Sequence, residues 1–453
     1  MSRPSIRPTT ALRALFDHVF PRGAIILSLL SLGYLAMGLI RNRVFANTYG
    51  AGLELDAYYA AFRIPEIALD VLVASGLTAP FVPIFTSLRR NDERAANDFG
   101  RTVLTGAVGV MTIASMVIFL AAPWFSDRIT GFDAATRELY VQLLQINCLA
   151  QILFAASFAL GEILVANRRF AFYALAPILY TTGIVLGTVL FADRYGIVAT
   201  AWGAVAGALA HLGIRTVGTL QTSFRIRAAF QARTPAFREF VRLMIPRMIS
   251  HPIEPILLTY FTILATGLGV GSVAAFNFAS DYQVMPILLV AAPFSLAVFP
   301  TLSGAFADRD GGAFRSILRR NLLTIGVLTT LGAAALFALS GVLVQVLLGG
   351  GRFGPQDVAR TSAMVAAFAL SIPFDSLAYP LSRGLYATHD TVRQVVASFV
   401  GLGVVIVAAS LLVPLVGILA IPLGYAAGMA IKDVLLAVFL LHRLRHLGFK
   451  RPG

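Results

Sequence analysis

Residues 41–83 read RNRVFANTYGAGLELDAYYAAFRIPEIALDVLVASGLTAPFVP and hold the end of one apolar helix, a short turn at Gly50 to Gly52, and a second apolar helix. Charged residues interrupt both helices where hydrocarbon is expected. They are Arg41, Arg43, Asp56, Arg63, Glu66 and Asp70. An ionisable group near the centre of a membrane helix costs at least about 2.5–3.5 kcal/mol on insertion scales. Such a cluster persists where it faces a partner or a wet cavity, so it predicts a transport pathway.

The composition is that of a membrane protein. Of 453 residues, 58% are hydrophobic and only 13% are charged, and the mean hydropathy is +0.80. Soluble domains carry about 25% charged residues. A helix that crosses the hydrocarbon needs about 20 apolar residues, and the chain has about twelve such runs. They lie near 23–46, 57–87, 101–124, 139–165, 170–192, 197–221, 241–267, 273–303, 317–347, 358–386, 391–413 and 416–441.

The basic residues indicate the orientation. The net charge is +14. Arginine-rich connections alternate with arginine-poor ones along the chain, and positively charged loops stay in the cytoplasm. The sequence therefore predicts a polytopic membrane protein with both termini cytoplasmic. The basic excess is explained by these loops, so we expect no nucleic-acid partner.

The two halves of the chain repeat weakly. GAGLELDAYYAAFRIPEIAL and FVPIFTSL in the first half correspond in order to GLGVGSVAAFNFASDYQVMPILL and VFPTLSGAF in the second. Parallel repeats of this kind predict an all-α fold with two six-helix lobes around a central cavity. The predicted parts are a cytoplasmic segment 1–22, an N-lobe 23–221, a basic cytoplasmic linker 222–240, a C-lobe 241–441 and a basic tail 442–453. The linker is either an amphipathic helix on the inner leaflet or a solvated connector.

No catalytic constellation is present in the sequence. The six histidines form no HExxH motif and no Cys/His metal spacing, and there is no GxxxxGK[ST] phosphate loop. We therefore expect a transporter and no enzyme, no metal site and no cofactor beyond a possible coupling cation, Na⁺ or H⁺. Acids within apolar runs are candidates for binding that cation, with structural ion pairing as the alternative interpretation. They are Asp70, Glu254, Asp281 and Asp375.

Arg41, Arg43 and Arg63 are candidates for binding an anionic substrate, because the planar guanidinium group suits phosphate oxygens. Arg41 and Arg43 lie near the outer end of the first run, where the orientation rule does not favour arginine. Pairing with Asp56 or Glu54 across the turn is an equally good explanation of these two arginines.

Several motifs resemble one known family. They are DAYYAAFRIPEIAL, APFVPIF, LAAPWF, NRRFAFYALAPIL, FNFASDYQVMP, GRFGPQDVART and GLYATHDT, spread in order between about residue 30 and about residue 440. Together they resemble the MurJ (MviN) lipid II flippases of the multidrug/oligosaccharidyl-lipid/polysaccharide exporter superfamily. The resemblance implies a cationic cavity and alternating access that moves a polyprenyl-pyrophosphate-linked peptidoglycan precursor across the bacterial cytoplasmic (inner) membrane. It also places Arg41, Asp56 and Arg63 at substrate-site positions.

The chain departs from the family pattern at several of these positions. Leu35 stands where the family has a second arginine of the first helix, and Leu69 and Asp70 replace a basic pair. Asp281 stands where the family has an arginine in the eighth helix. The departures leave other functions open: export of an exopolysaccharide or O-antigen-type repeat unit, cation-coupled drug antiport, or a non-transporting scaffold. The expected partners are a lipid-linked saccharide and membrane lipids, bound by a monomer.

Overall fold

The computed structural model describes residues 22–250 and 253–446. Residues 1–21 of the predicted N-terminal segment and 447–453 of the predicted tail lie outside the described residues. Thirteen helices carry most of the described chain. They are α1 (Arg22–Tyr49), α2 (Leu53–Asn91), α3 (Glu93–Ile129), α4 (Ala134–Ala166), α5 (Phe170–Tyr195), α6 (Ile197–Leu220), α7 (Pro235–Ser250), α8 (Ile253–Thr266), α9 (Ser272–Ala307), α10 (Gly311–Leu347), α11 (Pro355–Ala387), α12 (Thr391–Val416) and α13 (Ala420–His446).

The predicted all-α membrane fold is confirmed. Nine helical stretches of the described chain are long and apolar enough to cross a membrane, and one of them, Thr391–Arg445, contains both α12 and α13. The other predicted runs correspond to α1 and to α7 with α8, which lie on either side of residues 251–252. In the described ranges the β structure consists of an isolated bridge between Gly350 and Phe353.

Two helices contain a single turn of π-helix. The turns are Asp70–Ala74 in α2 and Ile287–Ala291 in α9, and Pro65 and Pro286 lie upstream of them. Proline lacks a backbone N–H and disturbs the hydrogen-bond ladder, and π turns are sites at which helices kink. Equivalent interruptions in the two halves support the repeat seen in the sequence.

The described residues form two compact units by their mutual contacts. Unit 1 contains residues 22–45, 64–125 and 138–250, and unit 2 contains residues 46–63, 126–137 and 253–446. The lobe bounds drawn from the sequence, 23–221 and 241–441, stay predictions.

The linker between the halves is packed against unit 1. Residues 222–234 contain no helix, and α7 begins at Pro235. The Phe224 side chain is buried and its ring centroid lies 6.5 Å from that of Phe85. The Arg101 side chain donates a hydrogen bond of 2.9 Å to the carbonyl oxygen of Arg225. Residues 222–234 therefore form no amphipathic helix. Most of them are exposed, as in a solvated connector, and Phe224 anchors the segment against α2 and α3.

Helices α5 and α6 pack with their backbones in close approach. A Cβ atom added to Gly203 would lie 2.7 Å from the carbonyl oxygen of Gly183, and one added to Gly187 would lie 2.6 Å from the Cα of Gly203. Small residues permit this approach between membrane helices. The buried hydroxyls of Thr188 and Thr200 join the same two helices by a hydrogen bond of 2.8 Å.

We expect Gly203→Leu to destabilise unit 1, because the new side chain meets backbone that cannot move aside. Overpacking of this kind costs about 1–3 kcal/mol. Gly213→Leu is the matched control, since Gly213 lies on the same helix and a Cβ atom added to it would have no other atom within 4 Å. The measurement is the unfolding temperature of each variant in detergent. Equal unfolding temperatures for the two variants would contradict the importance of the close approach.

Candidate functional site

The turn between α1 and α2 is held by other parts of unit 2. Gly50 has a φ of +65°, a left-handed conformation that glycine adopts without strain. The backbone N–H of Arg352 donates a hydrogen bond of 2.9 Å to the carbonyl oxygen of Asn47. The Arg352 guanidinium also pairs with Glu54 at 3.8 Å. The turn is therefore fixed by the loop that precedes α11.

Asp56 caps the start of α9. Its carboxylate accepts hydrogen bonds from the backbone N–H of Gly271 at 2.6 Å and of Ala274 at 2.8 Å, and the residue is 1% exposed. The first N–H groups of a helix have no partner within the helix, and the helix dipole favours an anion there. Asp56 thus satisfies two donors that would otherwise be buried without a partner.

The sequence suggested Asp56 and Glu54 as partners for Arg41 and Arg43. In the structure Asp56 contacts the start of α9, and Glu54 pairs with Arg352. Both arginines are half-buried on α1. The Arg41 guanidinium donates two hydrogen bonds to Oδ1 of the neighbouring Asn42, at 3.1 Å and 2.9 Å.

Arg63 is held by two neutral side chains of unit 2. Its Nε donates to the Thr262 hydroxyl at 3.1 Å, and a terminal nitrogen donates to Oδ1 of Asn277 at 2.5 Å. Thr262 lies on α8 and Asn277 on α9. These two contacts fix the orientation of the guanidinium plane.

Three of the four predicted coupling acids come together in unit 2. Glu254, Asp281 and Asp375 line one cavity of about 550 Å³, with Lys432 and Arg383 also in its wall. The fourth acid, Asp70, is the first residue of the π turn in α2 and is not part of this lining. Three of the acids predicted from the sequence therefore line the same cavity.

Asp375 is held by two side chains that line the same cavity. Its Oδ2 accepts a hydrogen bond of 2.7 Å from the Tyr425 hydroxyl and one of 3.2 Å from the Gln283 side chain. In the described part of the chain, no three residues of the types His, Cys, Asp and Glu are grouped as metal ligands.

The family model for the lipid II flippase MurJ matches residues 45–451 of this chain. The chain belongs to the MurJ family.

Individual MurJ proteins resemble the chain over most of its length. The lipid II flippase MurJ of Burkholderia cenocepacia is 25% identical over 439 residues, which cover 92% of this chain and 82% of that protein. A probable lipid II flippase MurJ of Thermotoga maritima is 25% identical over 357 residues, covering 78% and 71%.

Solved structures show the same fold. A lipid II flippase MurJ in an inward closed conformation superposes with a TM-score of 0.79 at 20% identity, covering 93% of this chain and 90% of that chain. An inward-facing multidrug transporter of the MATE family, in the MOP superfamily, superposes with a TM-score of 0.80 at 12% identity, covering 94% and 98%. The fold is thus common to MurJ and MATE transporters.

Sequence reasoning missed the partners of the charged groups in this MurJ-family chain. Asn277 and Gln283 lie in FNFASDYQVMP, and polar side chains inside an apolar run could have marked them as candidate partners of a charged group. Thr262 and Tyr425 gave no such signal, because single hydroxyl residues are common in membrane helices. Their contacts join segments that are far apart in the chain and become visible only in the fold.

We expect Asp56→Ala to lower the free energy of unfolding by about 1–3 kcal/mol, because two N–H groups at the start of α9 lose a buried acceptor. Asp56→Asn keeps one acceptor oxygen and should lose less. The control is Asp310→Ala, which removes an exposed cap at the start of α10, where Asp310 accepts from the N–H of Ala313 at 2.8 Å. Thermal unfolding in detergent is the measurement. A smaller loss for Asp56→Ala than for Asp310→Ala would contradict the capping role.

Proposed function

We propose that this chain is a flippase that carries lipid II, a polyprenyl-pyrophosphate-linked saccharide, across the cytoplasmic membrane by alternating access. The observation that carries the proposal is the MurJ family match over residues 45–451. Relatives named as lipid II flippases match it over most of their own length. The protein is a transporter, and translocation makes and breaks no covalent bond. The proposal includes a monomer with both termini in the cytoplasm.

The proposed binding groups for the pyrophosphate are Arg41, Arg43 and Arg63. A guanidinium group offers paired N–H donors in a plane, which match the oxygens of a phosphate. Arg63 supports this role because Thr262 and Asn277 hold its guanidinium group in a fixed orientation. Asp56 has a structural role in the proposed site, because its carboxylate holds the start of α9 beside the segment that carries Arg63.

We expect Arg41→Ala and Arg63→Ala each to slow lipid II translocation by at least about tenfold, because a charge-assisted hydrogen bond contributes about 1.5–3 kcal/mol. Arg41→Lys keeps the charge but loses the planar pair of donors, so its translocation rate should lie between those of the unaltered protein and Arg41→Ala. The measurement is in-cell exposure of lipid II on the outer leaflet, in a strain depleted of its own flippase, at equal expression.

Arg94→Ala is the control for this series, because Arg94 is an exposed arginine at the start of α3. Undiminished translocation by Arg41→Ala and Arg63→Ala would remove these residues from the mechanism. Failure of the unaltered protein to rescue the depleted strain would favour the scaffold interpretation.

The proposed coupling site is the acid-lined cavity of unit 2. Asp375 is the proposed acceptor of the coupling ion, H⁺ or Na⁺, because its carboxylate lies in a cavity with two further acids and is oriented by Tyr425 and Gln283. Carboxylate and hydroxyl oxygens suit either ion. The membrane potential offers an additional driving force of about 2.3 kcal/mol per charge per 100 mV.

We expect Asp375→Asn to abolish the response of translocation to an ion gradient, and Tyr425→Phe to weaken it, because the carboxylate loses its charge or its orienting hydroxyl. The measurement is lipid II translocation in proteoliposomes with an imposed proton gradient or an imposed sodium gradient. Tyr260→Phe is the control, since the Tyr260 hydroxyl bonds Ser410 outside the cavity lining. A full response in Asp375→Asn would exclude this acid.

Cation-coupled drug export is the second candidate function. It is favoured by the fold shared with MATE transporters and by the acids in unit 2. Resistance to cationic dyes on overexpression, without rescue of the flippase-depleted strain, would support it over lipid II translocation.

A further inference from the structure

Unit 2 contains an apolar groove of about 1060 Å³ between α10, α11 and α13. Aliphatic side chains form most of its wall, and several of them are exposed. They include Leu323, Val327, Leu331, Val434 and Leu441. In a membrane protein such exposed side chains face lipid tails, so the groove is a surface shaped for an apolar chain.

One end of the groove is basic. Arg315 and Arg319 lie one turn apart on α10, are exposed, and line the groove together with Leu444 of α13. A smaller depression of about 450 Å³ adjoins this end, and Arg320 and Ser316 contribute to it. Guanidinium and hydroxyl donors grouped in this way match the oxygens of a phosphate. The groove therefore combines an anion-binding end with an apolar body.

The length of the apolar body matches one leaflet. From Leu322 to Leu331, α10 rises about 14 Å. The hydrocarbon core of a bilayer is about 30 Å thick, so each leaflet contributes about half of that. Asp433 also lines the groove, but it lies about 16 Å along α13 from Leu444 and is remote from the arginines.

We propose that this groove binds an anionic glycerophospholipid from the leaflet on its arginine side, with the phosphate at Arg315 and Arg319 and an acyl chain along α10. Basic pockets between membrane helices on the cytoplasmic side hold anionic head groups in this way. Charge complementarity and the leaflet-length body favour a phospholipid over a longer chain. The site lies within unit 2 and is a lipid site additional to the proposed cargo site.

Gly326 gives a direct way to fill the groove. It lies on α10 in the lining, and an added Cβ would meet the Leu377 side chain at 3.6 Å, an ordinary contact. A leucine at this position therefore fits at its Cβ and projects the rest of its side chain into the groove. Gly341 lies on the same helix with nothing within 4 Å of an added Cβ and is not part of the lining.

The experiment is native mass spectrometry of the purified protein in detergent, titrated with dioleoyl-phosphatidylglycerol. Dioleoyl-phosphatidylcholine, with the same tails and no net charge, and glycerol 3-phosphate, a head group without tails, are the comparison ligands. We expect one retained phosphatidylglycerol and no comparable retention of the other two. We expect R315Q/R319Q and, independently, G326L to weaken retention by at least about tenfold.

The matched controls are R238Q/R242Q, an exposed pair with the same spacing on α7, and G341L; both should retain the lipid. Two ligand results would each overturn the proposal: phosphatidylcholine or glycerol 3-phosphate retained as strongly as phosphatidylglycerol. Two variant results would do the same: R315Q/R319Q and R238Q/R242Q losing phosphatidylglycerol to the same extent, or both R315Q/R319Q and G326L retaining it in full. A dimer that forms without lipid and is lost in G326L would assign the groove to a second copy of the chain. None of these readouts uses lipid II, so translocation is tested separately.

Discussion

The constraint on which this structure depends is that a polar group at membrane depth needs a partner. No water is available in the hydrocarbon to satisfy a backbone N–H or a charge, and an unpaired group there costs several kcal/mol. Asp56 meets this requirement with the start of α9, and Asp375 meets it with Tyr425 and Gln283. In unit 1, buried Arg215 donates to the carbonyl oxygen of Ser157 and lies 4.7 Å from the ring of Tyr173. Each of these charged groups therefore joins helices through specific contacts that hydrophobic packing alone does not supply.

The helices are irregular at corresponding places in the two halves. The π turns at Asp70–Ala74 and Ile287–Ala291 occur in the two helices that correspond in the repeat. A π turn widens the backbone ladder, and a proline upstream removes a donor from it. Asp70 opens one of these turns and Pro286 precedes the other, so the interruptions are set by local sequence although the repeat itself is weak. Irregular backbone at membrane depth is tolerated where protein or a cavity surrounds it.

Hydropathy and arginine placement were enough to predict the helices, because both depend on local composition. The run 197–221 corresponds to α6, and the run 317–347 lies inside α10. The partners of the charged residues were not predictable, since the carboxylate of Asp56 bonds a backbone N–H 215 positions away. The anchoring of the linker was not predictable for a similar reason, because the contact of Phe224 with Phe85 is revealed by no pattern in 222–234. The sequence marked Glu254, Asp281 and Asp375 as acids inside apolar runs. It could not show that they line one cavity, because that depends on how the helices pack.

The two halves share helix order and π turns but satisfy their buried charged groups with different partners. Unit 1 holds Arg215 among Tyr173, Phe158 and the backbone of Ser157. Unit 2 holds a cavity lined by Glu254, Asp281 and Asp375, in which Asp375 accepts a hydrogen bond from Tyr425. A duplicated backbone does not require this difference, because the close helix packing in each half is made by glycine and apolar side chains. In unit 1 the buried guanidinium of Arg215 is satisfied by a backbone carbonyl and an aromatic ring, whereas in unit 2 the carboxylate of Asp375 is satisfied by side chains of α9 and α13. Each half therefore meets the same need for a polar partner with different chemistry, and substitutions at these positions can change one half without changing the other.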